Sequence, residues 1–190
     1  EIRFGVVMYG GVSLAIYING VTNEMFEMAC ATPRDGHLLE NTGATATREI
    51  YRRLSWLTGE PELRREYARL IADARRAAAN ARVDGHAAAE PVVAADPWPQ
   101  LDLSAATRTR LVVDVVAGTS AGGINGIFLA KALANGEQFA ALQELWVNEG
   151  DIGLLLNDAP SYRGVEPPLT PRSGPPASLL NSDRMYAKLL

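Results

Sequence analysis

Gly118-Thr119-Ser120-Ala121-Gly122-Gly123 sets one hydroxyl between glycines two positions away on either side, a spacing suited to nucleophilic attack on an acyl carbonyl. Gly118 and Gly122 lack a Cβ where a strand and a helix must pass closely, so the turn can be tight enough to present the Ser120 hydroxyl. A serine so placed lies at a helix N-terminus, where unpaired backbone N–H groups and the helix dipole favour an alkoxide or a tetrahedral oxyanion. A glycine-rich turn that binds a phosphate, or one that only packs, would use the same residues. A Walker-type loop is disfavoured, because no Lys-Ser or Lys-Thr follows at the required spacing and the nearest downstream lysine, Lys131, falls on the helix body.

The flanking elements supply the context that this motif needs. Leu111, Val112, Val113, Val115 and Val116 are nearly continuous and mostly β-branched, which predicts a strand buried on both faces of a parallel sheet. Ile124, Ile127, Phe128, Ala130 and Leu133 follow helical spacing as far as Asn135-Gly136, a stop signal. A second strand, glycine, helix unit opens the chain: Ile2 to Tyr9 reads as a strand, Gly10-Gly11 as a break, and Ser13 to Ala31 as a helix. Two such units with a long connection predict an α/β fold with parallel strands and helical crossovers. In such sheets the crevice lies at the carboxyl ends of the strands, so Gly10-Gly11 and Ser120 are expected to face one another.

Composition narrows the classes. The chain has 190 residues, 47% hydrophobic and 21% charged, with a net charge of −4, which is ordinary for a globular domain and gives no case for nucleic-acid binding. No apolar run reaches the length of a spanning helix. Neither a secretory signal nor an initiating Met is visible, and the expectation is a cytoplasmic protein with peripheral membrane contact and an undefined oligomeric state. The single cysteine, Cys30, reads as a buried packing residue. No His and Cys cluster suggests a metal, and no cofactor is implied.

The pairing of YGGVSLAIYINGVTNE with GTSAGGINGIFLAKAL resembles the patatin-like phospholipase family, and more narrowly its large bacterial patatin-related members. The resemblance implies a three-layer α/β sandwich with a mainly parallel sheet, and a Ser-Asp dyad without a catalytic histidine that hydrolyses acyl esters of lipids. It makes Ser120 the nucleophile, and Gly10, Gly11 and Val12, with the Ala121 amide, the oxyanion-hole donors. The family's Gly-Gly-Gly-x-Arg/Lys-Gly loop is altered here, with Val12, Leu14 and Ala15 in place of its third glycine, basic residue and last glycine. A catalytically silent scaffold of the same shape is the alternative reading, and acyl transfer would use the same residues as hydrolysis.

A base for Ser120 is harder to place. His37 and His86 both precede it, against the Ser, acid, His order of α/β-hydrolases, and read as surface residues. The Asp-Gly turn that the resemblance implies does not follow Ser120. Asp35-Gly36 and Asp84-Gly85 lie earlier, Asp114 lies within the nucleophile strand, and Asp151 and Asp158 lack the glycine. The expectation is therefore that residues 1–190 form the N-terminal part of one patatin-like domain, incomplete in this chain, with the dyad aspartate beyond Leu190.

Between the two units, at about 33–110, a helical insertion is expected. Ile50, Tyr51, Leu54 and Leu57 share one helical face, and Leu63, Tyr67, Leu70, Ile71, Ala74 and Ala78 another, which predicts a helical hairpin through Thr58-Gly59-Glu60-Pro61. Arg64, Arg65, Arg69, Arg75, Arg76 and Arg82, interleaved with Glu62, Glu66 and Asp73, read as a solvated face, with a lipid-docking lid as the alternative. Ala87 to Ser104 reads as a mobile loop in which Trp98 covers a core edge. Downstream, Glu137 to Val147 is expected as a helix with Trp146 in the core, Ile152 to Leu156 as a third strand, Pro160 to Pro176 as an extended loop, and Ser178 onward as an amphipathic helix.

Overall fold

The computed structural model describes residues 1–33, 45–83, 95–170 and 173–189. His37, His86, Asp35-Gly36, Asp84-Gly85 and the first part of the Ala87 to Ser104 loop lie outside the described residues. The architecture is mixed α/β. β1 (Ile2–Met8) and β2 (Leu111–Gly118) pair in parallel. Around them are α1 (Ala15–Cys30), α2 (Ala46–Gly59), α3 (Pro61–Val83), α4 (Ala121–Asn135), α5 (Ala141–Glu149), α6 (Ile152–Leu155) and α7 (Ser182–Leu189).

The strand expected to be buried on both faces is buried on one. Residue pairing runs Ile2 to Leu111, Arg3 to Val112 and Phe4 to Val113, then skips Asp114 so that Gly5 meets Val115. This β-bulge reverses the alternation of β2. Val113 and Val116 therefore pack into the core, whereas Val115 is 61% exposed and Asp114 reaches out to Arg3 Nη1 at 3.1 Å. On β1 the alternation is simple: Val6 and Met8 are buried and Val7 is exposed. A nearly continuous apolar run cannot reveal a bulge, because every register of it looks equally apolar.

The core sits between the inner face of the strands and the helices that follow each of them. Phe26 and Cys30 of α1, Leu129 and Ala132 of α4, and Leu142 and Trp146 of α5 form one buried cluster, with Phe139 stacked on Phe26 at 6.0 Å. Gly136 takes a left-handed conformation (φ 68°) and ends α4 where the stop signal stands. Thr32, just past α1, accepts from the Leu111 N–H at 2.8 Å and so fixes the start of β2. Burial pushes the Cys30 thiol up to about 12, with Arg48 opposing and Glu27 adding to the shift. Cys30 is thus an inert packing residue and is expected to resist alkylation by iodoacetamide in the folded protein, reacting only after denaturation.

The insertion departs from its predicted packing in one helix and follows it in the other. Ile50 and Leu54 of α2, placed by periodicity on a buried face, are 64% and 48% exposed. α2 is held instead through Arg48, whose Nε and Nη2 each donate to the buried Glu27 carboxylate of α1 at 3.0 Å, with Thr45 Oγ1 donating to the same carboxylate at 2.5 Å. A buried pair of this kind fixes which helix docks where, since either charge without the other would be costly. On α3 the predicted stripe does face inward, and Arg65–Glu62, Arg69–Glu66 and Arg76–Asp73 pairs line the solvated side. Trp98 closes this region, lying edge-on to Tyr67 at 5.4 Å with Arg53 5.2 Å above its ring.

After α5 the chain corrects two further expectations. Ile152 to Leu156 is no strand: its first four residues are helical, with Asp151 capping Gly153 N–H at 2.7 Å, and only Leu156 bridges to Leu180. That bridge keeps 178–181 out of the helix, so α7 begins at Ser182 rather than Ser178. The proline-rich segment is tied down at its start, where the Arg184 guanidinium donates to the Ser161 and Arg163 carbonyls at 3.0 and 2.7 Å and to Glu149. Burial opposes ionisation of Glu149, but the Lys188 and Arg184 hydrogen bonds outweigh it and hold the carboxyl below its ordinary value.

Candidate active site

Ser120 occupies the one-residue corner between Gly118-Thr119 and the first turn of α4. It is the non-glycine residue with positive φ among the described residues, at φ 52° and ψ −127°. Such a backbone costs on the order of 1–3 kcal/mol and persists only where its surroundings hold it. Here they do: the Thr119 N–H donates to Met8 O at 3.1 Å, and the Gly122 N–H donates to Thr119 O at 2.9 Å. A Cβ on Gly122 would stand 2.4 Å from Met8 O, and one on Gly118 would stand 2.5 Å from Gly122 O. The two glycines therefore allow β1, β2 and α4 to meet beneath the serine.

The glycine break after β1 reaches this corner as its position at a strand end requires. A Cβ on Gly10 would lie 2.6 Å from Ser120 Cβ and 3.3 Å from its hydroxyl oxygen, so this backbone passes directly beside the nucleophile candidate. The Gly10 N–H is already engaged, donating to Thr119 Oγ1 at 3.2 Å. Among the described residues, no partner is taken by the Gly11 or Ala121 N–H groups. Val12 opens a short 3-10 turn into α1, closed by Leu14 N–H to Gly11 O at 3.1 Å. Thr119, which periodicity and motif reading passed over, is thus the side chain that links the two loops. Thr119→Val is expected to cost about 1 kcal/mol, the usual net worth of one hydrogen bond. It should also slow Ser120 modification by an acyl-directed probe about tenfold, as read by labelling kinetics and a thermal melt.

Ser120 opens onto a cavity of about 450 Å³ whose walls are almost wholly apolar, including Ala15, Ile124, Trp146, Leu155, Met185 and Leu189. α1, α4 and α5 supply one side of it, and α6 and α7 the other. No carboxylate lines this cavity among the described residues. Asp114 is spent on Arg3, Asp151 caps α6, and Asp158 accepts from the Ser161 N–H at 3.3 Å. None of the three is available as a base for Ser120.

Residues 92–174, which contain this corner, match the family model described as Patatin-like phospholipase. Over these residues the chain is similar to the patatin-like phospholipase family. Among the described residues of the chain, the two-stranded parallel sheet and packed helices accord with an incomplete patatin-like α/β fold. An uncharacterized membrane protein of Mycobacterium tuberculosis is 30% identical over 191 residues, a span that covers 100% of this chain and 13% of that protein. The patatin-like chain therefore spans about an eighth of the length of that relative. No solved structure matches it. Among the described residues, no helix of the patatin-like chain is long and apolar enough to cross a membrane.

Proposed function

We propose that this chain carries the nucleophile of a serine acyl hydrolase acting on carboxylic esters of lipids, with Ser120 as the attacking residue. The observation that supports this reading best is the strained Ser120 backbone, set beside Gly10 and opening onto an apolar cavity. A serine that only packed would gain nothing from a conformation that its own Cβ disfavours. In the proposed reaction Ser120 Oγ attacks the ester carbonyl carbon and gives up its proton to a base. The resulting oxyanion is held by the Gly11 and Val12 amides on one side and the Ala121 amide on the other, with Gly10 setting the approach of the first loop. Collapse breaks the ester C–O bond, the alcohol leaves with the proton, and water then releases the acid from the acyl-enzyme.

The base is proposed to be an aspartate outside Glu1–Leu190, completing a Ser-Asp dyad. Residues 1–190 would form the N-terminal part of one patatin-like domain, with the helices at about 33–110 inserted between its first unit and the nucleophile strand. Val12, Leu14 and Ala15 leave the glycine loop without the family's cation, so substrate binding in this reading rests on the apolar cavity more than on head-group charge. Substrate would be met at a membrane surface by peripheral contact.

Full-length protein incubated with phosphatidylcholine vesicles and, in parallel, with p-nitrophenyl esters tests the reading. Release of fatty acid or nitrophenol above the buffer rate is the expected result. A folded full-length protein that releases neither favours a silent scaffold.

A further inference from the structure

Beneath Ser120 lies a buried polar cluster that the proposed chemistry does not use. Asn125, one turn into α4, is fully buried, and Asn19 of α1 and Trp146 of α5 are each 3% exposed. The Asn125 Nδ2 group donates to the Ala121 carbonyl at 2.9 Å. Its Oδ1 accepts from Asn19 Nδ2 at 3.0 Å and from the Trp146 indole N–H at 3.3 Å. Placing two amides and an indole N–H in an otherwise apolar core is costly unless each is paired, and an apolar residue of similar size at 125 would pack there without that demand. The cluster calls for a reason beyond packing.

Its connections supply one. The Ala121 carbonyl belongs to the second peptide after Ser120, so Asn125 pins the chain just downstream of the strained residue. Thr119, through Met8 O and the Gly10 N–H, pins it just upstream. The Trp146 ring that shares Asn125 Oδ1 is also a wall of the cavity, as are Ala121 and Ile124. One side chain thus joins the backbone that aims the nucleophile to the wall that an acyl chain would meet.

We infer that Asn125 is a positioning residue that holds the Ser120–Ala121 backbone in its reactive orientation and, through Trp146, sets the shape of the acyl-binding cavity. The inference rests on the proposed role of Ser120. Asn125→Asp keeps the size and the acceptor but replaces the donor facing the Ala121 carbonyl with a second acceptor. Trp146→Phe removes only the indole N–H and part of the wall. The two changes should separate kinetically, because the first disturbs the reacting backbone and the second the cavity.

The test measures kcat and KM of the full-length protein for p-nitrophenyl butyrate and decanoate, with fluorophosphonate labelling of Ser120 and circular dichroism as a check on folding. Asn125→Asp is expected to lower kcat by about 30-fold on both esters with KM within about threefold, and to slow labelling in proportion. Trp146→Phe is expected to raise KM for decanoate by about tenfold and to lower kcat less. Lys131→Gln, on the exposed side of α4, serves as the unaltered control. A folded Asn125→Asp protein with wild-type kcat and labelling would overturn the inference while leaving the Ser120 reading intact. If Asn125→Asp does not fold, Trp146→Phe decides: a change confined to stability, with kcat and KM unaltered for both esters, would overturn it. Wild-type protein that is neither labelled nor active would remove the Ser120 reading and this inference with it.

Discussion

Ser120→Ala is expected to lower ester hydrolysis by the full-length protein by about 10⁴-fold, with the fold intact. Removing the hydroxyl deletes the atom proposed to bond covalently with the acyl carbon, while the amides at Gly11 and Ala121 and the apolar cavity remain to give a small residual rate. The same corner makes a second, opposite expectation for stability. Alanine has the same Cβ as serine and inherits the strain of φ 52°, so its melting temperature should stay close to the wild type. Ser120→Gly removes that Cβ and should gain on the order of 1 kcal/mol, the balance of relieved strain against the greater freedom of glycine in the unfolded chain. Inactive protein with Ser120→Gly more stable than wild type would mark a corner strained for function. Hydrolysis by Ser120→Ala at the wild-type rate would place the nucleophile elsewhere.

Gly122→Ala has the next largest expected effect, and it acts on fold and activity together. The added methyl would stand 2.4 Å from Met8 O and 2.7 Å from Met8 C, both backbone atoms that no rotamer can move. α4 must then retreat from the end of β1 by about 1 Å, a displacement that costs about 3 kcal/mol in overpacking. The retreat also carries the Ala121 amide away from the oxyanion position, and a misplacement of that size lowers turnover about 100-fold. Urea denaturation and esterase rate on the same preparation read both effects. A stable Gly122→Ala protein with normal turnover would show that α4 does not need to approach β1 this closely.

The corner itself was legible because its signal is chemical: glycines at fixed offsets around a serine, between an apolar run and a helical pattern. The helices α1, α3, α4 and α5 were legible because apolar periodicity decides which face a helix buries. α2 was legible as a helix but its packing was not, since its buried face is made by Arg48 and Ser55 and its docking by an ion pair to Glu27, and a pattern of apolar residues has no way to register a charge paired across 21 positions. The bulge at Asp114 escaped for a different reason, being a property of pairing between strands and not of either strand alone. Ile152 to Leu156 illustrates the ambiguity of short apolar runs, which the Asp151 cap resolves toward helix. Thr119 and Asn125 have no sequence signal that separates them from other polar residues near a helix start. Their roles follow from what they touch.

Ser120 must act as a nucleophile in the folded, full-length protein, and covalent capture tests that most directly. A fluorophosphonate probe applied to native protein, followed by mass spectrometry of the peptide that contains Gly118 to Gly123, should find one adduct, on Ser120, that is lost on prior denaturation and absent from Ser120→Ala. Folded protein that acquires no adduct at Ser120, or acquires it on another residue with equal speed, would contradict the account.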